Sequence, residues 1–340
     1  MTSRGTFSPA IFGCVGLELT PQEIVFFQQI KPLGFILFAR NIQEPAQVKA
    51  LTESLRHCVS HEPLMLIDQE GGRVVRLKPP YWYAAPPPAH LAQIARRDVK
   101  AAAEALRLNY QIIGAELAVL GINVNCAPVL DLHIPGAHDI VGDRALGDAP
   151  QQVATLGRAV CEGLLEAGVL PVLKHIPGHG RAMADSHESL PVVDVPLDVL
   201  ETEDFLPFWQ LADMPLAMTA HITYTALDPA QPATLSPGVI ACIREQIGFN
   251  GLLMTDDLSM KALRGNMEER ARRSLQAGCD VLLHCNGEMA EMEAIARACT
   301  LVPPMLQTRY TQAMAMLPAL PVTDIADIKT RLETIVREVA

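Results

Sequence analysis

Three features of this 340-residue sequence predict an α/β fold, a (β/α)8 TIM-type barrel forming one domain over 1–340 with a C-terminal helical extension. First, eight short apolar runs rich in Val, Ile and Leu recur along the chain without polar alternation, as parallel strands covered on both faces do. Second, segments of helical length separate them. Third, polar residues gather at the C-terminal ends of many different runs, where a closed barrel converges them on one mouth and an open sheet would spread them out. A doubly wound sheet is the alternative, but no Gly-x-Gly-x-x-Gly opens a helix after the first strand.

Taken in order, the strands are predicted over 11–15, 35–38, 64–68, 122–129, 169–175, 216–222, 252–256 and 281–285. Between the second and third, Val48, Leu51, Leu55 and Cys58 fall on one helical face. The stretches 101–120 and 151–168 read likewise, and Gly121, Gly168 and Gly278 each stand where a left-handed helix end favours glycine. From Pro303 onward the chain reads as helical again, including 324–340. The strand ends carry Asp68, Asp131, Lys174, His175, His221, Asp256 and Asn286. No linker or internal repeat divides the chain.

Composition narrows the function. The net charge of −11 argues against nucleic acid, whose phosphates want a basic face. No apolar stretch reaches the ~18 residues of a membrane span, and residues 1–9 lack a basic start followed by an apolar core, so a cytoplasmic protein is expected. The eight cysteines contain no Cys-x-x-Cys pair and read as small buried hydrophobes in a reducing compartment.

The chemistry-bearing segments come after the third, fourth, fifth and seventh strands. Asp68-Gln69-Glu70-Gly71-Gly72-Arg73 joins a tight Gly-Gly turn to charged groups. Asp68 suits vicinal hydroxyls and Arg76 a substrate oxygen, while the plainer reading is an ion pair of Asp68 or Glu70 with Arg73. Asp143-Arg144 lies in a long loop, where Arg144 fits a planar or anionic acceptor or else a surface ion pair. Lys174 and His175 are neighbours on a strand and should face opposite sides, unless a kink at Pro177 turns both inward. A buried Lys without a task is rare, which favours Lys174 as functional. His179, between glycines, suits a loop-holding hydrogen bond. Asp185-Ser186-His187 sets a carboxylate and an imidazole on one side of an extended segment, a pair able to donate and accept a proton near neutral pH. At the seventh strand, Asp256 is expected to face the axis as a nucleophile, and Asp257 to face away and either cap the next helix or pair with a neighbour. A carboxylate nucleophile with a separate proton donor is the equipment of glycoside cleavage with retention.

Asp68-Gln-Glu-Gly-Gly-Arg-Val, Gly142-Asp-Arg, Lys174-His-x-Pro-Gly-His-Gly, Asp185-Ser-His187, Ala220-His221 and Thr255-Asp-Asp-Leu-Ser-Met260 occur in order. With them the chain resembles the bacterial β-N-acetylhexosaminidases of glycoside hydrolase family 3, of the single-domain cytoplasmic type. The resemblance implies release of terminal β-linked N-acetylglucosamine from muropeptides in peptidoglycan recycling, with a small-molecule carbohydrate or muropeptide as the partner and no nucleic acid, membrane, cofactor or metal. It further implies Asp256 as nucleophile, His187 as acid/base assisted by Asp185, and Asp68, Arg76, Arg144, Lys174 and His175 as the sugar-holding set. Related β-glucosidases carry a second domain with the acid/base, for which this chain is too short. Ile176, Val75 and Ala145-Leu146 replace a usual Phe, polar residue and Ser-Phe, departures that bear on the outer subsite. Two rivals use the same residues. Phosphorolysis would resolve the glycosyl-enzyme with phosphate. A metal-dependent hydrolase would be built from Lys174, His175, His221 and Asp256, although Pro177 and Gly178 spoil the helical spacing of His175 and His179. A non-catalytic carbohydrate-binding barrel is disfavoured by the presence of Asp185, His187 and Asp256 together.

Overall fold

Period-two alternation along each strand sorts the apolar residues into two layers. Leu64 and Leu66, Leu170 and Val172, Leu216 and Met218, Leu252 and Met254, Val281 and Leu283 share one packed cluster along the axis. Their neighbours Met65, Ile67, Leu173, Ala217, Leu253 and Leu282 belong to a second cluster that includes helix residues such as Val48, Leu51, Leu55, Leu106 and Val160. Each of these strands is therefore apolar on both faces, which explains their uninterrupted apolar runs.

The computed structural model describes residues 7–186, 189–318 and 324–339. Its strands are β1 (Ser8–Gly13), β2 (Pro32–Leu37), β3 (Leu64–Ile67), β4 (Val124–Asn125), β5 (Leu170–Ile176), β6 (Val192–Val193), β7 (Leu216–Thr219), β8 (Thr223–Tyr224), β9 (Leu252–Asp257) and β10 (Val281–His284). Eight of them close a barrel in the order β1-β10-β9-β7-β5-β4-β3-β2, with every neighbouring pair parallel, while β6 and β8 form a separate two-stranded sheet. Each of the eight predicted runs overlaps one barrel strand. The fourth is regular only over Val124–Asn125 because Pro128 has no N–H to give. Its pairing continues through single bonds, Val172 N–H to the Ala127 carbonyl and Lys174 N–H to the Pro128 carbonyl.

Helices Pro45–His57, Val99–Val119 and Pro150–Glu166 occupy the predicted stretches. Gly121, Gly168 and Gly278 all adopt positive φ, and Gly278 (φ 113°) caps helix Met267–Ala277. All eight cysteines are free, seven of them buried. Among the described residues no helix is long and apolar enough to cross a membrane.

The C-terminal extension consists of helices Leu306–Met314 and Ile325–Val339. Leu306, Tyr310 and Ala313 pack with the axial residues and Phe7, so the first of these helices closes the barrel floor. Asp280, on the turn entering β10, ties it there. Its carboxylate accepts from Arg309 and Arg244 at 2.6 Å each and from the Leu253 N–H at 2.9 Å. Residues at this end of a barrel serve stability rather than chemistry. Asp280→Ala strands two guanidinium groups and a buried amide, so chemical denaturation should show a loss of about 3–5 kcal/mol. An unchanged midpoint would contradict the floor staple.

Candidate active site

The same alternation that fills the axis aims the functional residues. Asp68 continues Leu64 and Leu66, Lys174 continues Leu170 and Val172, and Asp256 continues Leu252 and Met254. All three reach a cavity of about 340 Å³ at the C-terminal ends of the strands, lined also by Glu70, Arg76, Arg144, His175, Ser186 and Asp257. Its apolar wall includes Phe38, Val74, Met218 and Met260. Of the sequence-predicted set, the cavity brings together Asp68, Arg76, Arg144, Lys174, His175 and Asp256.

Two ladder irregularities add residues that strict alternation would turn away. Along β5 the register against β7 shifts between Lys174 and Ile176, so His175 joins Lys174 on the cavity. The expected kink thus falls between Lys174 and Ile176, just ahead of Pro177. Along β9 the register against β10 shifts between the Met254–Val281 and Asp257–Leu283 pairings, and both carboxylates line the cavity. That corrects the expectation that Asp257 faces away. Its carboxylate is nevertheless occupied, accepting from the Ser259 hydroxyl at 2.6 Å and from the Ser259 and Cys285 amides.

Lys174 is the centre of the charged wall. Its ammonium lies 2.9 Å from Asp68 and 2.6 Å from Glu70, and is almost wholly buried. Arg144 holds Glu70 through two 2.8 Å bonds, and Arg76 meets Asp68 at 3.0 Å. Burial pushes the Asp68 carboxyl up, but Lys174 and Arg76 outweigh it and hold it below the usual range. Burial likewise opposes the Glu70 charge, yet Lys174 and Arg144 bring its carboxyl down to about 2. Burial works against the Lys174 ammonium, and Asp68 and Glu70 together raise it. Both acids therefore present ionised, acceptor-only oxygens beside three fixed cations, a surface matched to hydroxyl groups.

The ion pairs differ from those expected. Arg73 pairs with Asp143 at 2.7 Å, not with Asp68 or Glu70. Arg144 is no surface pair, being 11% exposed at its side chain against a Glu70 that is 1% exposed. Glu70 is the residue sequence reasoning undervalued; its position two residues after Asp68 on the same turn was the available signal. Asp131, placed at a strand end but given no role, accepts from His175 Nδ1 at 2.7 Å. Ile176, Val75, Ala145 and Leu146, the departures from the family pattern, do not line the cavity.

The loop after β5 is fixed at its root. A side chain at Gly180 would stand 2.2 Å from the Leu132 carbonyl, so the chain passes there only without one. Arg181 reaches the buried Asp204 at 2.6 Å, and Tyr224 donates to the Gly178 carbonyl at 2.8 Å. Burial and neighbouring His175 lower His179 to about 4, and its neutral ring bonds the Ser186 hydroxyl at 3.2 Å. Ser186 lines the cavity, with half-buried Asp185 beside it. His187 lies outside the described residues. His221, a ligand in the metal-hydrolase rival, gives both ring nitrogens to Thr234 and to the Asp257 carbonyl.

Comparison with known proteins gives the chain its family. Residues 22–305 match the glycosyl hydrolase family 3 N-terminal domain. A Beta-hexosaminidase of Alkalilimnicola ehrlichii is 38% identical over 287 residues, covering 82% of this chain and 80% of that protein. One from Thiobacillus denitrificans is 38% identical over 298 residues, covering 86% and 82%. The crystal structure of NagZ from Neisseria gonorrhoeae in complex with N-trifluoroacetyl-D-glucosamine superposes with a TM-score of 0.86 at 30% identity, over 98% of this chain and 99% of that one. The chain belongs to glycosyl hydrolase family 3 and is a glycoside hydrolase.

Proposed function

We propose that this protein is a single-domain, cytoplasmic, retaining exo-β-N-acetylglucosaminidase. It removes terminal β-linked N-acetylglucosamine from muropeptides in peptidoglycan recycling and needs no metal or cofactor. The observation that carries this reading is the placing of Asp256 on the axial side of β9, across one small cavity from the Asp68–Lys174–Glu70–Arg144 network. The names of its relatives, Beta-hexosaminidase and an N-acylglucosamine-bound NagZ, support the choice of sugar.

In the first step an Asp256 carboxylate oxygen attacks the anomeric carbon while His187 gives a proton to the departing glycosidic oxygen. The bond to the aglycone breaks and a glycosyl-aspartate ester forms. In the second step water attacks the same carbon, its proton passes to His187, and the ester bond opens to restore the carboxylate. Asp185 steadies the imidazolium between the steps. Asp68 accepts from ring hydroxyls, and Arg76, Arg144, Lys174 and His175 hold the sugar with it. Two inversions at one carbon release the β-anomer first.

Asp256→Ala should lower turnover of a nitrophenyl N-acetyl-β-glucosaminide by about four orders of magnitude or more. Early NMR spectra of the wild-type reaction should show the β-anomer; near-normal turnover in the variant, or the α-anomer first, would end the assignment. His187→Ala should harm substrates with poor leaving groups far more than activated ones, because protonation contributes least when the leaving group is already stable. Equal losses across an aryl series would remove its acid role. Lys174→Met takes away the cation that offsets burial at Asp68 and Glu70, so their carboxyls must titrate at higher pH than in the wild type. The KM of the variant should therefore rise as pH falls through the weakly acidic range where the wild-type KM is flat, and parallel profiles would contradict the network.

A further inference from the structure

We infer that Asp131 is a positioning residue for the glycosidase site, fixing His175 as the tautomer that turns an unprotonated Nε2 toward the sugar. Asp131 lies just beyond β4, is fully buried, and is absent from the cavity lining, so it acts only through a neighbour. Its Oδ2 lies 2.7 Å from His175 Nδ1. Its Oδ1 accepts from the His175 amide at 3.1 Å and from the His179 amide at 2.6 Å. A carboxylate can only accept, so the shared proton sits on Nδ1, and in the neutral ring the lone pair is then on Nε2.

The surroundings leave the carboxylate no freedom to play another part. The Leu130 amide donates to the Lys174 carbonyl at 2.8 Å, and the Leu132 carbonyl presses on Gly180, so the segment carrying Asp131 is clamped against β5 and the loop root. Burial pushes the Asp131 carboxyl up, but His175 and His179 hold it down at about 2, keeping the acceptor charged at neutral pH. One buried acid thereby sets both the ring of His175 and the first amide of the glycine loop. An amide in its place would keep one oxygen for the two backbone donors and turn its NH2 toward Nδ1, reversing the tautomer.

This inference rests on the reading in which His175 touches the sugar, so its test has an arm that does not. Nitrogen-15 NMR, with the His175 signals identified by their loss in His175→Gln, should show Nδ1 protonated in the wild type and Nε2 protonated in Asp131→Asn. In kinetics on the aryl N-acetylglucosaminide, Asp131→Asn should lower kcat/KM about 10–100-fold. The same change made on top of His175→Ala should cost less than about threefold, because the two act as one unit. A wild-type spectrum with the neutral proton on Nε2 would overturn the inference even if the variant failed to fold. So would an unchanged tautomer in the variant, or the full kinetic loss persisting without His175. A wild type inactive on every N-acetylglucosaminide would instead remove the functional reading and leave the tautomer result standing.

Discussion

A single ammonium group carries the polar half of this site. Lys174 enters the barrel axis with almost no exposure and is held between two carboxylates that would be costly to bury without it. Those carboxylates in turn need Arg76 and Arg144, whose loops they pin. The five-residue arrangement ties the turn after β3, the strand β5 and the long loop after β4 into one piece. Removing solvent from such a cluster strengthens every attraction within it, and a hydroxyl entering it would meet partners that have no need to reorganise.

Much of this was legible in the sequence. Barrel parity follows from the apolar runs, and counting by twos from Leu64, Leu170 and Leu252 leads to Asp68, Lys174 and Asp256. The cost of glycine inside helices, and its use at their ends, located the ends of three of them. Pro177 hinted at an irregularity near His175, but the register shift at β9 that brings Asp257 to the cavity was not legible, because an extra residue in a ladder leaves no compositional trace. Partner choice among charges was equally hidden. Arg73, Arg76 and Arg144 are chemically alike, and only the folded loops decide that Arg73 meets Asp143 while Arg144 meets Glu70.

The barrel separates its two ends by purpose. At the floor, Asp280 with Arg244 and Arg309 fastens a helix under the axial residues, where its charges are spent on holding the fold together. At the mouth, comparable charges are left facing a cavity. The difference lies in what they meet: a packed helix with Tyr310 below, an open cavity above.

The stepped ladders at β5 and β9 have an economy that extends beyond this pocket. Each lets one strand terminus present adjacent side chains to the same point, where a regular strand offers every second one. Four of the groups around the cavity are thus delivered by hydrogen-bonded sheet and inherit its stiffness. Loops that carry none of the cavity's charged groups are then left at liberty to vary in sequence and reshape the rim, with little penalty to the alignment of these four.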